Sequence, residues 1–175
     1  MNRGFVLWFT GLPASGKTTV ASMVKERLLA LGRRVELLDG DTLRRDLDPE
    51  IGFSPEDRAI HIRRVAYVSE LLARNGVAVL VCLVSPYIRV RASARELIGD
   101  KFIEVYVKCS LETCIGRDPK GLYKRALAGE IPNMTGIGDP YEEPPDPEVE
   151  VDTENNTADE NADIVMARLR DLGHI

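Results

Sequence analysis

Several things are missing from this chain, and each absence excludes something. No apolar run approaches the length of a membrane span. The longest, Val77 to Val84, suits a buried strand, so no membrane association is expected. Cysteine is scarce and odd in number. Cys82, Cys109 and Cys114 lack C-x-x-C spacing, which argues against a disulfide framework and a zinc site and leaves them as small apolar core residues. Between Asp139 and Asp163 there is no Lys or Arg among eleven acidic residues, a pattern of solvated, proline-rich surface. With a net charge of −5 and basic residues gathered in local clusters (Arg58/Arg63/Arg64 and Arg117/Lys120/Lys124/Arg125), no broad basic face is offered to nucleic acid. A small anionic ligand fits better. No internal repeat and no linker divides the 175 residues, so residues 1–175 read as one domain. The few residues ahead of the first apolar run leave no room for a secretory leader, and a cytoplasmic location is expected.

What is present begins with Gly11-Leu12-Pro13-Ala14-Ser15-Gly16-Lys17-Thr18, a match to G-x-x-x-x-G-K-[ST]. It follows the apolar run Phe5–Phe9 and opens a helix-like segment, the context in which such a loop holds phosphate. Backbone N–H groups converge on the anion, and the helix N-terminus adds its positive dipole end. Lys17 then reaches the terminal phosphates, and the Thr18 hydroxyl is the candidate Mg²⁺ ligand.

Apolar segments and helical patterns alternate along the chain, predicting an α/β fold of the P-loop NTPase type: a mostly parallel sheet of about five strands with helices on both faces. Strands are expected at Phe5–Thr10, Arg34–Leu38, Val77–Val84, Phe102–Val107 and Val149–Asp152. Helices are expected over Lys17–Leu31, from Ser54-Pro55 to about Asn75-Gly76, over Pro86–Ile98 and Ser110–Arg117, and from the capping box Thr157–Glu160 to near Leu172-Gly173. Asp118–Glu148 differs, holding six of the ten prolines and little apolar periodicity. A stretch of that length without regular structure reads as a mobile lid, and its Lys120, Lys124 and Arg125 suit a cover over phosphate.

Two further absences choose among nucleotide-using enzymes. No N-K-x-D supports guanine recognition, and Val77–Val84 runs into Ser85-Pro86 without the acidic pair expected of a motor-type ATPase. The acids stand instead after the second strand, Leu38-Asp39-Gly40-Asp41. Carboxyl ends of parallel strands face the ligand crevice, so Asp41 is placed to orient an acceptor hydroxyl. The plainer alternative is a helix cap with Asp39 in a turn.

These runs, with Gly52-Phe53-Ser54, Arg58, Ile62-Arg63-Arg64, Ser85-Pro86-Tyr87, Arg117-Asp118-Pro119-Lys120-Gly121-Leu122-Tyr123 and Thr135-Gly136-Ile137, closely resemble the adenylylsulfate kinase (APS kinase) family over essentially the whole chain. The resemblance implies transfer of the γ-phosphoryl of MgATP to the ribose 3′-hydroxyl of adenosine 5′-phosphosulfate (APS), a step of sulfate activation. It implies that Gly11 to Thr19 and Arg117 hold ATP, that Lys17, Asp41 and Ser85 form the catalytic set, and that Asp41, Arg44, Phe53, Arg58, His61, Lys120, Leu122, Met134 and Ile137 contact the acceptor. Mg²⁺ at Thr18, a homodimer and a functional link to an ATP sulfurylase are implied as well. Ser85 matches a family serine that becomes phosphorylated; on its own it reads equally as a helix cap before proline. Phe53 reads as a stacking platform for adenine or as a hydrophobic staple onto the helix after it.

Three positions depart from the family pattern. His61 stands where Asn contacts the acceptor, Met134 where Phe stacks on its adenine, and Cys82 where Ser is common. His61 reads as a sulfate or ribose contact or as an ordinary helix residue. These departures keep open a related P-loop kinase acting on a different nucleotide-linked acceptor.

Overall fold

The computed structural model describes residues 3–175; Met1 and Asn2, the start of the segment read as leaving no room for a leader, lie outside them. The elements run β1 (Phe5–Thr10), α1 (Lys17–Ala30), β2 (Val35–Asp39), α2 (Gly40–Asp46), α3 (Pro55–Arg74), β3 (Ala78–Cys82), α4 (Ile88–Ile98), β4 (Phe102–Lys108), α5 (Leu111–Arg117), α6 (Leu122–Leu127), β5 (Val149–Asp152) and α7 (Ala158–Asp171). Five parallel strands pair in the order β2-β3-β1-β4-β5. Strand β1 is central and buried on both faces, which is why it reads as an unbroken apolar run. Phe5, Leu7 and Phe9 face one layer with Val24 of α1 and Val165 of α7, while Val6 and Trp8 face the other with Val65 of α3 and Val90 of α4. Parallel pairing sends every strand's carboxyl end to the same edge, and the loops there build the site.

Local chemistry sets most boundaries. Ser54 caps α3 by accepting from Asp57 N at 3.1 Å, with Pro55 at the first helical position. Thr157 and Glu160 form the expected capping box on α7. Helix α1 closes with Gly32 at φ +72°, where the Arg33 N–H donates to Leu28 O at 3.0 Å.

Gly40–Asp46 is helical, in line with the helix-cap alternative for Asp39: its carboxylate caps α2 by accepting from Asp41 N at 3.1 Å. Two expectations need correction. Residues 118–148 are not without regular structure. They contain α6, whose first N–H groups (Tyr123 N and Lys124 N) donate to the Asp118 carboxylate at 3.1 and 3.0 Å. Helix α4 starts at Ile88 and not at Pro86, and Ser85 does not cap it. Its Ile88 N–H donates instead to the Glu142 carboxylate at 2.6 Å.

Candidate active site

The loop from Gly11 to Lys17 owes its path to residues that tolerate unusual backbone. A Cβ on Gly11 would stand 2.6 Å from Val107 O, and Gly16 opens α1 at φ +93°. Ala14 is also held at positive φ, 61°. Helix α1 carries no acidic residue in its first turn and no capping side chain, so the N–H groups running into Thr18 and Thr19 face the loop's concavity. The Lys17 ammonium folds across that concavity, donating to Gly11 O at 2.9 Å and Leu12 O at 2.6 Å. Burial pushes it down to about 8, opposed chiefly by the neighbouring Cys82 and Cys114 thiols and Asp39. Cys82, beneath the loop, is itself pushed up to about 12 by burial, as an inert core thiol should be.

Asp39 is the residue that motif reading passed over. One carboxylate oxygen caps α2, and the other accepts from the Thr18 hydroxyl at 3.0 Å. A single side chain thus joins the phosphate loop to the helix that displays Asp41. Thr18 and Asp39 together offer only hard oxygen donors, the chemistry of a divalent cation that keeps waters and phosphate oxygens as its remaining ligands. Among the described residues no cluster of three or more His, Cys, Asp or Glu could hold a metal unaided.

Asp41 is largely exposed and pairs with Lys120, which reaches it from residues 118–148, the segment that the sequence reads as a lid. Beyond it, Arg44 donates to Gly52 O at 2.6 Å and lies 4.7 Å from the centre of the Phe53 ring. Arg58 donates through Nε to Phe53 O at 3.0 Å, and its two terminal nitrogens reach the lid at Asn133 O (2.9 Å) and Thr135 Oγ1 (3.2 Å). Phe53 is 62% exposed, so it is no hydrophobic staple; its ring is an open platform edged by two guanidinium groups. The structure therefore gathers Lys17, Thr18, Asp41, Arg44, Phe53, Arg58 and Lys120 along one edge.

Other residues expected at the site lie deeper. His61 is buried on α3, its Nδ1 paired with Asp48, which also accepts from Arg64. Among the described residues its Nε2 has no hydrogen-bond partner. Burial depresses the imidazole pKa, with Arg44 and Arg64 adding to the effect against the pull of Asp48, so Nδ1 carries the proton toward Asp48. Burial works to raise the Asp48 carboxyl, yet His61 and Arg64 hold it below its ordinary value. This knot fixes the turn between α2 and α3 that presents Phe53, against which Arg44 of α2 packs. Met134 is buried with Tyr123 and Cys114 in a small apolar core beneath the lid, against which Leu12 and Leu122 pack. Ile137, half-exposed, lines a cleft of about 440 Å³ with Leu12, Leu111, Asp139 and Tyr141.

Ser85 is also buried, at φ +39°. Its Oγ accepts from the Trp8 indole at 3.1 Å and donates to Thr10 Oγ1 at 3.2 Å. Since the Thr10 proton goes to Val84 O, the Tyr141 hydroxyl, 2.9 Å away, donates to Thr10.

Further contacts tie this segment down, each between residues far apart in the chain. The Tyr123 hydroxyl donates to Pro13 O at 2.9 Å, pinning α6 to the phosphate loop. Past Ile137, Asp139 accepts from the Tyr87 hydroxyl at 2.6 Å, and Glu148 accepts from both terminal nitrogens of Arg95 at 2.6 and 2.8 Å. Arg91, buried against Glu104, donates to Glu142 O at 2.7 Å. Arg117, at the lid's base, donates to Thr153 Oγ1 at 3.1 Å and Thr153 O at 2.5 Å.

A phosphate loop between β1 and α1, a Thr18–Asp39 oxygen pair beside it, and Lys120 paired with the Asp41 carboxylate at the strand ends mark a P-loop kinase. The model of the adenylylsulphate kinase family matches residues 3–152. An adenylyl-sulfate kinase of Picosynechococcus is 51% identical over 99% of this chain and 98% of its own length; a probable adenylyl-sulfate kinase of Pyrococcus abyssi is 49% identical over 98% of each. The Mycobacterium tuberculosis APS kinase CysC, solved with AMPPNP and APS, superposes with a TM-score of 0.93 at 43% identity, covering 97% of this chain and 99% of that one. The chain belongs to the adenylylsulphate kinase family.

Proposed function

We propose that the chain transfers the γ-phosphoryl of MgATP to the ribose 3′-hydroxyl of APS, with these residues in the following roles. The observation that carries the reading is the double contact of Asp39, which links the donor's phosphate loop to the start of the helix that displays the Asp41 carboxylate to the acceptor. Phosphoryl transfer asks the protein mainly for alignment and charge. The N–H groups of Gly11–Thr19 and the Lys17 ammonium hold the donor phosphates, and Arg117 takes the nucleobase. Thr18 and Asp39 would hold Mg²⁺, which would supply charge screening for the donor phosphates. Asp41 orients the acceptor hydroxyl and takes its proton. Arg44, Arg58 and Lys120 supply the fixed cations that a phosphosulfate group needs, and Phe53 receives the acceptor's adenine.

His61, Leu122 and Met134 act from behind this wall, His61 by stiffening the turn that follows α2 and the others by shaping the lid, while Ile137 lines the open cleft beside Leu12. Ser85 serves as a link between β1 and the lid. Lys120 lets go of Asp41 as the acceptor arrives, and the lid then excludes water. A homodimer belongs to the same proposal. The exposed Leu47, Ile60 and Tyr67 around a groove of about 490 Å³ support it as the self-association surface. An activity that joins sulfate to an adenylate must supply the acceptor, which is the place of an ATP sulfurylase.

The test is a coupled assay with MgATP and APS. Asp41→Ala is expected to lower kcat by about 10²–10⁴-fold while the fold persists. ATP turnover that APS does not stimulate in the unmodified protein would overturn the proposal.

A further inference from the structure

The turn between β5 and α7 lies outside every phosphate-binding motif, yet it holds the donor side together. Asp152 shapes it, accepting from Glu154 N at 2.9 Å and Asn155 N at 3.1 Å. Glu154 grips the first turn of α5 through Ser110 N at 2.9 Å and Ser110 Oγ at 2.7 Å. Thr153 grips the end of the same helix, through both terminal nitrogens of Arg117. The Thr153 hydroxyl has one proton, and its shortest acceptor is Ser15 O of the phosphate loop, at 2.8 Å. Toward Arg117 it therefore acts as acceptor. Its methyl carbon stands 3.4 Å from where a Cβ on Gly16 would be, so the contact with the loop is close on the apolar side too. Arg117 is otherwise exposed. With both terminal nitrogens engaged, its guanidinium is fixed in orientation while its faces remain open.

We propose that Thr153 is a positioning residue for the phosphoryl donor. Its hydroxyl sets the plane of the Arg117 guanidinium against the phosphate loop, so that a purine stacked on that plane stands at one fixed distance from the phosphate cradle. The inference rests on the reading of Arg117 as the contact for the donor base. It adds that the contact is made by a relay from Ser15 through Thr153, and that the lid's base and the loop share one register.

Steady-state kinetics on Thr153→Val, Thr153→Ser, Arg117→Ala and the Thr153→Val/Arg117→Ala double variant test it. Thr153→Val is expected to raise KM for ATP about five- to tenfold, the scale of one hydrogen bond to a charged group, with kcat reduced less than about twofold and KM for APS little moved. Thr153→Ser should restore the unmodified KM, and Thr153→Val should add nothing in the Arg117→Ala background. Melting curves accompany each variant, and Thr153→Ala is read in the same way if Thr153→Val melts early. If Arg117→Ala leaves KM for ATP unchanged, the reading of Arg117 fails and the relay with it. If Arg117→Ala raises KM but Thr153→Val does not, or if the two effects add, or if serine does not rescue, the relay alone is overturned.

Discussion

Lys17 carries a charge that its surroundings resist. Three carbonyl and hydroxyl oxygens of the loop surround its ammonium, yet burial still pushes its pKa down to about 8. A base with a lowered pKa is charged below that value and loses its charge as pH rises through it. Because kcat/KM for ATP reports groups of the free enzyme, it should be level near neutrality and fall with rising pH through about 8, approaching tenfold per pH unit. A profile between about pH 6 and pH 10 checks this; a curve that stays level to the alkaline end would contradict it. Bound phosphate favours the ammonium form, so kcat itself should hold to higher pH. The contrast with His61 is instructive, since burial lowers both groups but only Lys17 sits where a ligand can restore its charge.

At the scale of elements, the lid behaves as a strap with fixed attachment points, and α6 is its forward one. Tyr123 is fully buried and its hydroxyl is spent on Pro13 O. Tyr123→Phe keeps the ring and removes the bond, leaving a loop carbonyl short of a donor, at a cost of about 1–2 kcal/mol. Melting should fall by about 2–8 °C. No shift would mean that water replaces the bond freely. The same strap shows which parts of the fold were legible in sequence. Strand β1, the phosphate loop and α1 were legible because each signal lies within a few residues of what it controls: an apolar run, two glycines, a cap. Helices α2 and α6 were not, since each is too short to display a period. Of the site residues, Asp41, Arg44 and Phe53 could be placed from neighbouring motifs. The double role of Asp39, the capping of α4 by Glu142 and the grip of Thr153 on Arg117 could not. Each joins residues far apart in the chain, and nothing local marks the partner. For the same reason the acidic stretch is more than the solvated surface its composition suggests: Asp139, Glu142, Glu148, Asp152 and Glu154 are internal tie points.

For the molecule as a whole, the proposed function has the parallel sheet sort the two substrates onto different elements. The donor side draws on α1, α5 and the turn after β5, the acceptor side on α2 and α3. The lid touches both, at Pro13 by Tyr123 and at Asp41 and Arg58 by Lys120 and Asn133–Thr135. A cover shared in this way must be ordered once for two ligands. Each ligand should therefore tighten the other, by the same factor in both directions. Calorimetric titration of a non-hydrolysable ATP analogue with and without APS is expected to give at least about fivefold tighter binding in its presence. Equal affinities in the two titrations would argue that the lid responds to one substrate alone.

The buried chain from Trp8 through Ser85 and Thr10 to Tyr141 adds a practical gift to this arrangement. Trp8 is the only tryptophan, and its indole proton sits at the inner end of three linked hydroxyls whose outer end belongs to the strap. Indole emission responds to the polarity and hydrogen bonding around that proton. The protein thus carries a native fluorophore wired to its own lid, so that stopped-flow traces of unlabelled enzyme could follow the strap in real time.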